Sequence, residues 1–170
     1  MDVQSVLRTA LGLAHNVLEG TMADVTAEQA LWTPGGRGIP IGAQYFHILV
    51  TEDRFVQGSF QGAATLAESS WAGRTGCATL PPRLPESWDA WSHEVRVDLP
   101  AARQYAQAVY AATDAFLAGA DQATLERLVG QQRPMPIADL TAGVLLQHVA
   151  SHCGEISAFK GLQGLKGYPF

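Results

Sequence analysis

The chain has 170 residues, of which 47% are hydrophobic and only 16% charged, with a formal net charge of −5. That length suffices for one domain whose core needs no disulfide or structural metal, and a composition this apolar excludes a disordered chain. No cluster of Lys and Arg provides the footprint of a nucleic-acid binder, and no run of about 18 apolar residues is present to span a membrane.

Val3, Val6, Leu7, Ala10, Leu11, Ala14, Val17 and Leu18 recur in steps of three and four, the apolar stripe of an amphipathic helix. Asp2 suits its N-cap and Gly20 its end. Arg8, His15, Asn16 and Glu19 interrupt the apolar run. The segment therefore reads as the first helix of a cytoplasmic protein and not as a signal peptide. Thr26 and Gln29 have the spacing of a capping box for one short turn. Thr33 to Gly38 stacks Pro and Gly and must be loop.

A second helix is expected from Pro40, which lacks an N–H and suits a first helical position, to about Gly58. Residues 59–85 are rich in Gly, Ala, Ser and Thr and contain Pro81, Pro82 and Pro85. They read as a long connection with irregular packing around Trp71, and connections of this length are often functional. ESWDAWSHEVR begins a helix that Pro100 is expected to interrupt. A third helix follows in LPAARQYAQAVYAATDAFLAG, ending at Gly119. Asp121 caps a short segment, and Gly130 to Pro136 is read as loop. The fourth helix starts near Pro136 and ends at Gly161 or Gly164. No segment alternates as a strand does. Four long helices imply an all-α chain, a single four-helix-bundle domain over residues 1–170.

The two cysteines, Cys77 and Cys153, match no zinc or redox spacing and are expected as reduced thiols. Of the five histidines, His148 and His152 stand four apart on the fourth helix. Four residues advance about 400° around an α-helix, so both rings project from one face about 6 Å apart along the axis. Both can reach one ion at about 2.0–2.1 Å. Leu140 or Thr141, Leu145, His148, His152, Ile156 and Phe159 follow one three-and-four step, which places the pair on the core-facing stripe. His47, among Tyr45, Phe46, Ile48 and Leu49, supplies a third imidazole if the second and fourth helices are neighbours. Three protein ligands with open positions describe a reactive metal site. The competing reading is a set of hydrogen-bonded core histidines, because HxxxH arises often by chance. His15 and His93 are expected at the surface or at helix ends.

These residues carry a family resemblance. The opening helix, the single His in GAQYFHILVTEDRF and the final QHVASHCGEISAFKGLQGLKG together resemble the DinB-like superfamily of metal-dependent enzymes. That superfamily includes proteins similar to bacillithiol and mycothiol transferases. The most diagnostic piece is His148, His152, Gly154, Glu155 and Ile156. The resemblance implies a DinB-like bundle, often a homodimer. It implies a divalent nickel, zinc or manganese ion on His47, His148 and His152.

An open ion of this kind activates water or a thiol. The family favours a thiol-dependent transferase or isomerase, with a low-molecular-weight thiol and a small-molecule substrate. The alternatives are a hydrolase, a non-catalytic binding or sensing bundle, and a structural ion. Glu155 is the candidate second residue, either orienting a His ring or acting as general base. Glu52 and Asp53 point too far round the helix from His47 to be ligands, and Cys153 should pack against another helix. Trp32, Trp71, Trp88 and Trp91 line a cavity or cap the bundle. GGRG is no phosphate loop, although Arg37 offers a carboxylate contact.

Overall fold

The structure, a computed structural model, describes residues 2–83 and 85–170; Met1 and Leu84, the latter within the expected long connection, lie outside the described residues. Helix α1 spans Val3–Met22 and starts at Asp2, whose carboxylate accepts from the Ser5 N–H at 2.7 Å. It runs past Gly20 instead of ending there. A Cβ at Gly20 would sit 2.9 Å from Pro169 of the C-terminal tail, so this glycine serves close packing. Helix α2, Ala27–Leu31, carries the capping box, with Gln29 N–H donating to Thr26 Oγ1 at 3.2 Å and Thr26 N–H to Gln29 Oε1 at 2.9 Å. Helix α3, Ile41–Asp53, begins after Pro40 and continues into a π-helical segment, Arg54–Phe60.

The connection that follows hangs on one buried carboxylate. Asp53 accepts from the Leu66 and Ala67 N–H groups, each at 2.9 Å, and from the Tyr105 hydroxyl at 2.6 Å. Trp71 packs against Tyr105. Helix α4 is Trp88–Glu94 and α5 is Leu99–Gly119. Pro100 does not interrupt a helix; it lies in the first turn of α5, where its missing N–H has no intrahelical partner to lose. Asp98 caps that turn at Ala101 N–H, 3.2 Å. Helix α6, Gln122–Glu126, is capped by Asp121. The stretch expected as loop after it closes a small antiparallel ladder, β1 Leu128–Val129 on β2 Met135–Pro136. Helix α7, Ile137–Leu140, a π-helical segment, Thr141–Leu146, and α8, Gln147–Leu162, follow without a break.

Helices α1 and α3 each pack against both α5 and α8, which sets the cyclic order α1, α5, α3, α8 of a four-helix bundle. The core divides into two apolar clusters. One gathers Leu18, Met22, Tyr45, Phe46, Leu49 and Val109; the other gathers Leu7, Leu11, Val56, Phe60, Leu117 and Leu145. Burying one such side chain contributes roughly 1.5–3 kcal/mol. A polar layer lies between the clusters. Glu52 on α3 accepts from Thr113 of α5 at 2.6 Å and pairs with His15 of α1 at 2.8 Å. His15 is thus 7% exposed and stacked on Tyr110, not a surface residue as expected. Among the described residues no helix is long and apolar enough to cross a membrane.

Candidate metal centre

Helix α3 is buried along nearly its whole circumference, with His47 and Thr51 half-buried between fully buried neighbours. These two positions, one turn apart, open the helix towards α8. From α8, His148 and His152 face them, also half-buried. The ring centroids stand 4.7 Å apart for His47 and His148, 5.2 Å for His47 and His152, and 4.6 Å for His148 and His152. One ring nitrogen from each residue can be chosen so that all three lie within 4.8 Å of one another.

Leu145 and Ile156 are buried as the sequence led one to expect, but between and beyond them the core stripe of α8 runs through Val149, Cys153 and Lys160 and not through the histidines and Phe159. The histidines lie beside that stripe, at the rim of the bundle. Lys160 enters the core because its Nζ donates to the Thr21 carbonyl at 2.5 Å and pairs with Asp24. Cys153 packs against α1, its sulfur 3.6 Å from Thr21 Oγ1, and burial pushes its thiol pKa up. Cys77 is also a free thiol.

The electrostatics keep two rings of the cluster neutral. Burial, together with the adjacent His148, His152 and Arg54, lowers the His47 pKa to about 3. Burial and His152 lower that of His148 to about 4. Near neutral pH both rings are therefore unprotonated, the form that ligates metals. His152 Nδ1 lies 2.7 Å from Glu155 Oε2. In neutral His152 this nitrogen carries the proton donated to the carboxylate, which leaves Nε2 with a lone pair. Thr51 Oγ1 approaches His47 Nδ1 at 3.4 Å, and Trp88 packs its edge against the His47 ring at 4.5 Å between centroids.

The donor set fits a divalent transition ion. His47 Nε2 and His148 Nε2 are 2.9 Å apart. Two nitrogens at about 2.05 Å from one ion are separated by about 2.9 Å at a right angle and about 3.3 Å at the tetrahedral angle. The same distance suits a hydrogen bond between the rings, in which one neutral imidazole donates. The third ring, oriented by a carboxylate, is what a metal site adds to such a pair.

Other candidates fall outside the cluster. Glu52 and Asp53 are structural acceptors, as their angle round α3 requires. His93 is exposed at the end of α4, beside Asp89. Arg37 is exposed on the loop. Trp32 packs on Phe159, and Trp91 packs on Trp88. Sequence reasoning missed Arg54 and Arg83, which line an open pocket beside His47. Arg54 was detectable, because it lies two turns from His47 on the same face of the helix. Arg83 was not, because only the folded connection brings it there.

Among curated proteins no match was found. Among solved structures, a conserved protein from Enterococcus faecalis shares the fold with a TM-score of 0.78; it is 18% identical, and the alignment covers 94% of this chain and 96% of that one. The model of the DinB superfamily matches residues 10–155, a span that takes in all three histidines and Glu155. The chain belongs to the DinB superfamily.

Proposed function

We propose that His47, His148 and His152 bind one divalent transition ion, nickel, zinc or manganese, and that the protein is a metal-dependent enzyme acting on a small molecule, in the first instance a thiol-dependent transferase or isomerase. The observation that carries the reading is the convergence of three half-buried imidazoles from two helices, two of them with strongly lowered pKa values. A divalent ion held by three neutral nitrogens supplies a Lewis acid that makes a thiol or a water acidic near neutral pH. The chain's own residues supply the rest. Glu155 is 54% exposed and holds the His152 ring by its Nδ1–H, so its role is to orient the ligand. Trp88 shields one side of His47 from water and fixes its plane. The pocket along Thr51, Arg54 and Phe55 gives a small molecule access to this corner.

Free Cys77 and Cys153 accord with a cytoplasmic location. Val6 and Leu13 are 46% and 61% exposed on one face of α1, which supports a homodimer, to be measured by sedimentation. The enzymatic reading is tested with protein loaded with each of the three ions. Loaded protein is expected to accelerate conjugation of a low-molecular-weight thiol to 1-chloro-2,4-dinitrobenzene, with the thiol proton lost to solvent and chloride leaving with its electron pair. Chelation or His148→Ala should abolish the acceleration. Equal rates with loaded and chelated protein across a panel of thiols would contradict it.

A further inference from the structure

An open pocket of about 530 Å³ adjoins His47, lined from α3 and its extension by Thr51, Arg54 and Phe55, from the connection before α4 by Arg83, and from the start of α4 by Trp88. This volume is that of a small-molecule site. Its two cations are unequally held. Arg83 is 67% exposed, and its Nη2 lies 3.4 Å from Glu68 Oε1. Arg54 is half-buried and spends one N–H on the Pro81 carbonyl, at 2.7 Å. That bond aims the guanidinium without neutralising it.

The carboxylates that attract Arg54 are Glu68 and Asp53. Their oxygens are already committed. Glu68 accepts from Thr65 and Arg83, and Asp53 from two backbone amides and Tyr105. Burial and the neighbouring Arg83 charge both act against the Arg54 cation and hold its pKa below the ordinary guanidinium value. Two guanidiniums that repel one another at the mouth of one pocket are relieved by an incoming anion, and guanidinium geometry favours a carboxylate held by paired N–H groups. The remaining walls, Trp88 and Phe55, are aromatic and ask for an apolar body.

We propose that this pocket takes a small organic carboxylate with an apolar body, its acid group held between Arg54 and Arg83 and its body on Trp88 and Phe55. Resting on the metal reading above, the other end of that molecule faces the three-histidine centre, so the substrate of the enzyme is an organic acid.

The test is calorimetric titration of the full chain with 4-phenylbutyrate and with its uncharged amide, 4-phenylbutanamide. Each is run on zinc-loaded and on chelated protein, with zinc content measured in parallel. The metal-free titration removes any contribution from carboxylate bound to zinc. The carboxylate is expected to bind both forms at least about tenfold tighter than the amide. Arg83→Gln, at an exposed position, should weaken it about tenfold, and Arg54→Lys should weaken it while retaining more binding than Arg54→Gln. Equal affinity for acid and amide, or affinity unchanged in both Arg83→Gln and Arg54→Lys, overturns the proposal. If zinc loads normally and the acid is not preferred, the pocket assignment fails and the metal reading stands. If the acid is preferred and zinc does not load, the metal reading fails and the pocket assignment stands.

Discussion

At the residue scale two of the three imidazoles have a thermodynamic signature. The folded pKa values of His47 and His148, about 3 and about 4, lie below the 6.5 of an unfolded chain. As pH falls through about 6.5 the unfolded chain takes up protons that the folded rings refuse, so the stability of metal-free protein decreases on acidification towards pH 4. Denaturant unfolding of chelated protein at several pH values should show this slope between pH 7 and 5, shallower in His47→Leu; a slope unchanged in that variant would contradict it. Glu155→Gln replaces the charged acceptor of the His152 ring by a weaker one. Metal affinity should fall about 10–100-fold, while stability changes by no more than about 0.5 kcal/mol at this half-exposed position; chelator competition and denaturant unfolding measure the two. Much of this site was legible in the sequence. The four-residue step from His148 to His152 and the three-residue step on to Glu155 are helical spacings, and they place the three groups together. His47 was offered by its apolar stretch on the condition that the second and fourth helices are neighbours, and by the family motif; α3 is buried on nearly every side, so its own periodicity names no face.

At the element scale, local signals and their failures have separate causes. Asp2, Thr26 and Asp121 cap the helices their spacing marks, because a cap needs only neighbours in the chain. Gly20 and Pro100 misled for the opposite reason. The first is set by the distant tail at Pro169, and the second occupies the one helical turn that tolerates it. The face of α8 was displaced by one residue because Lys160 and Cys153, not the histidines, continue the core stripe. Asp98→Ala should cost α5 about 1 kcal/mol through loss of its cap. Asp53→Ala should cost more, about 3–5 kcal/mol, because two backbone amides and a buried hydroxyl lose their charged acceptor. It should also free the connection that carries Arg83 and leads to Trp88. Hydrogen exchange at the Leu66 and Ala67 amides reads that release, and unchanged protection there would contradict it.

At the scale of the whole molecule, four apolar helices were enough to set the bundle, and the match to the Enterococcus faecalis structure along 94% of the chain agrees. The internal polar layer was not legible. His15, Glu52 and Thr113 come from three helices, and no spacing relates them. Glu52→Ala leaves His15 and Thr113 without their shared acceptor between two apolar clusters, and a loss of about 3–5 kcal/mol is expected in denaturant unfolding. Because this layer and the histidine cluster use different residues, folded Glu52→Ala protein should still take up metal.

The most direct measurement is zinc stoichiometry after gel filtration, by mass spectrometry, for the parent protein and for His47→Ala, His148→Ala and His152→Ala, with circular dichroism to show that each variant is folded. The account predicts about one ion per parent chain and loss of most of it in each folded variant. An ion retained in full by folded His47→Ala, or a parent chain that takes up none, would contradict it.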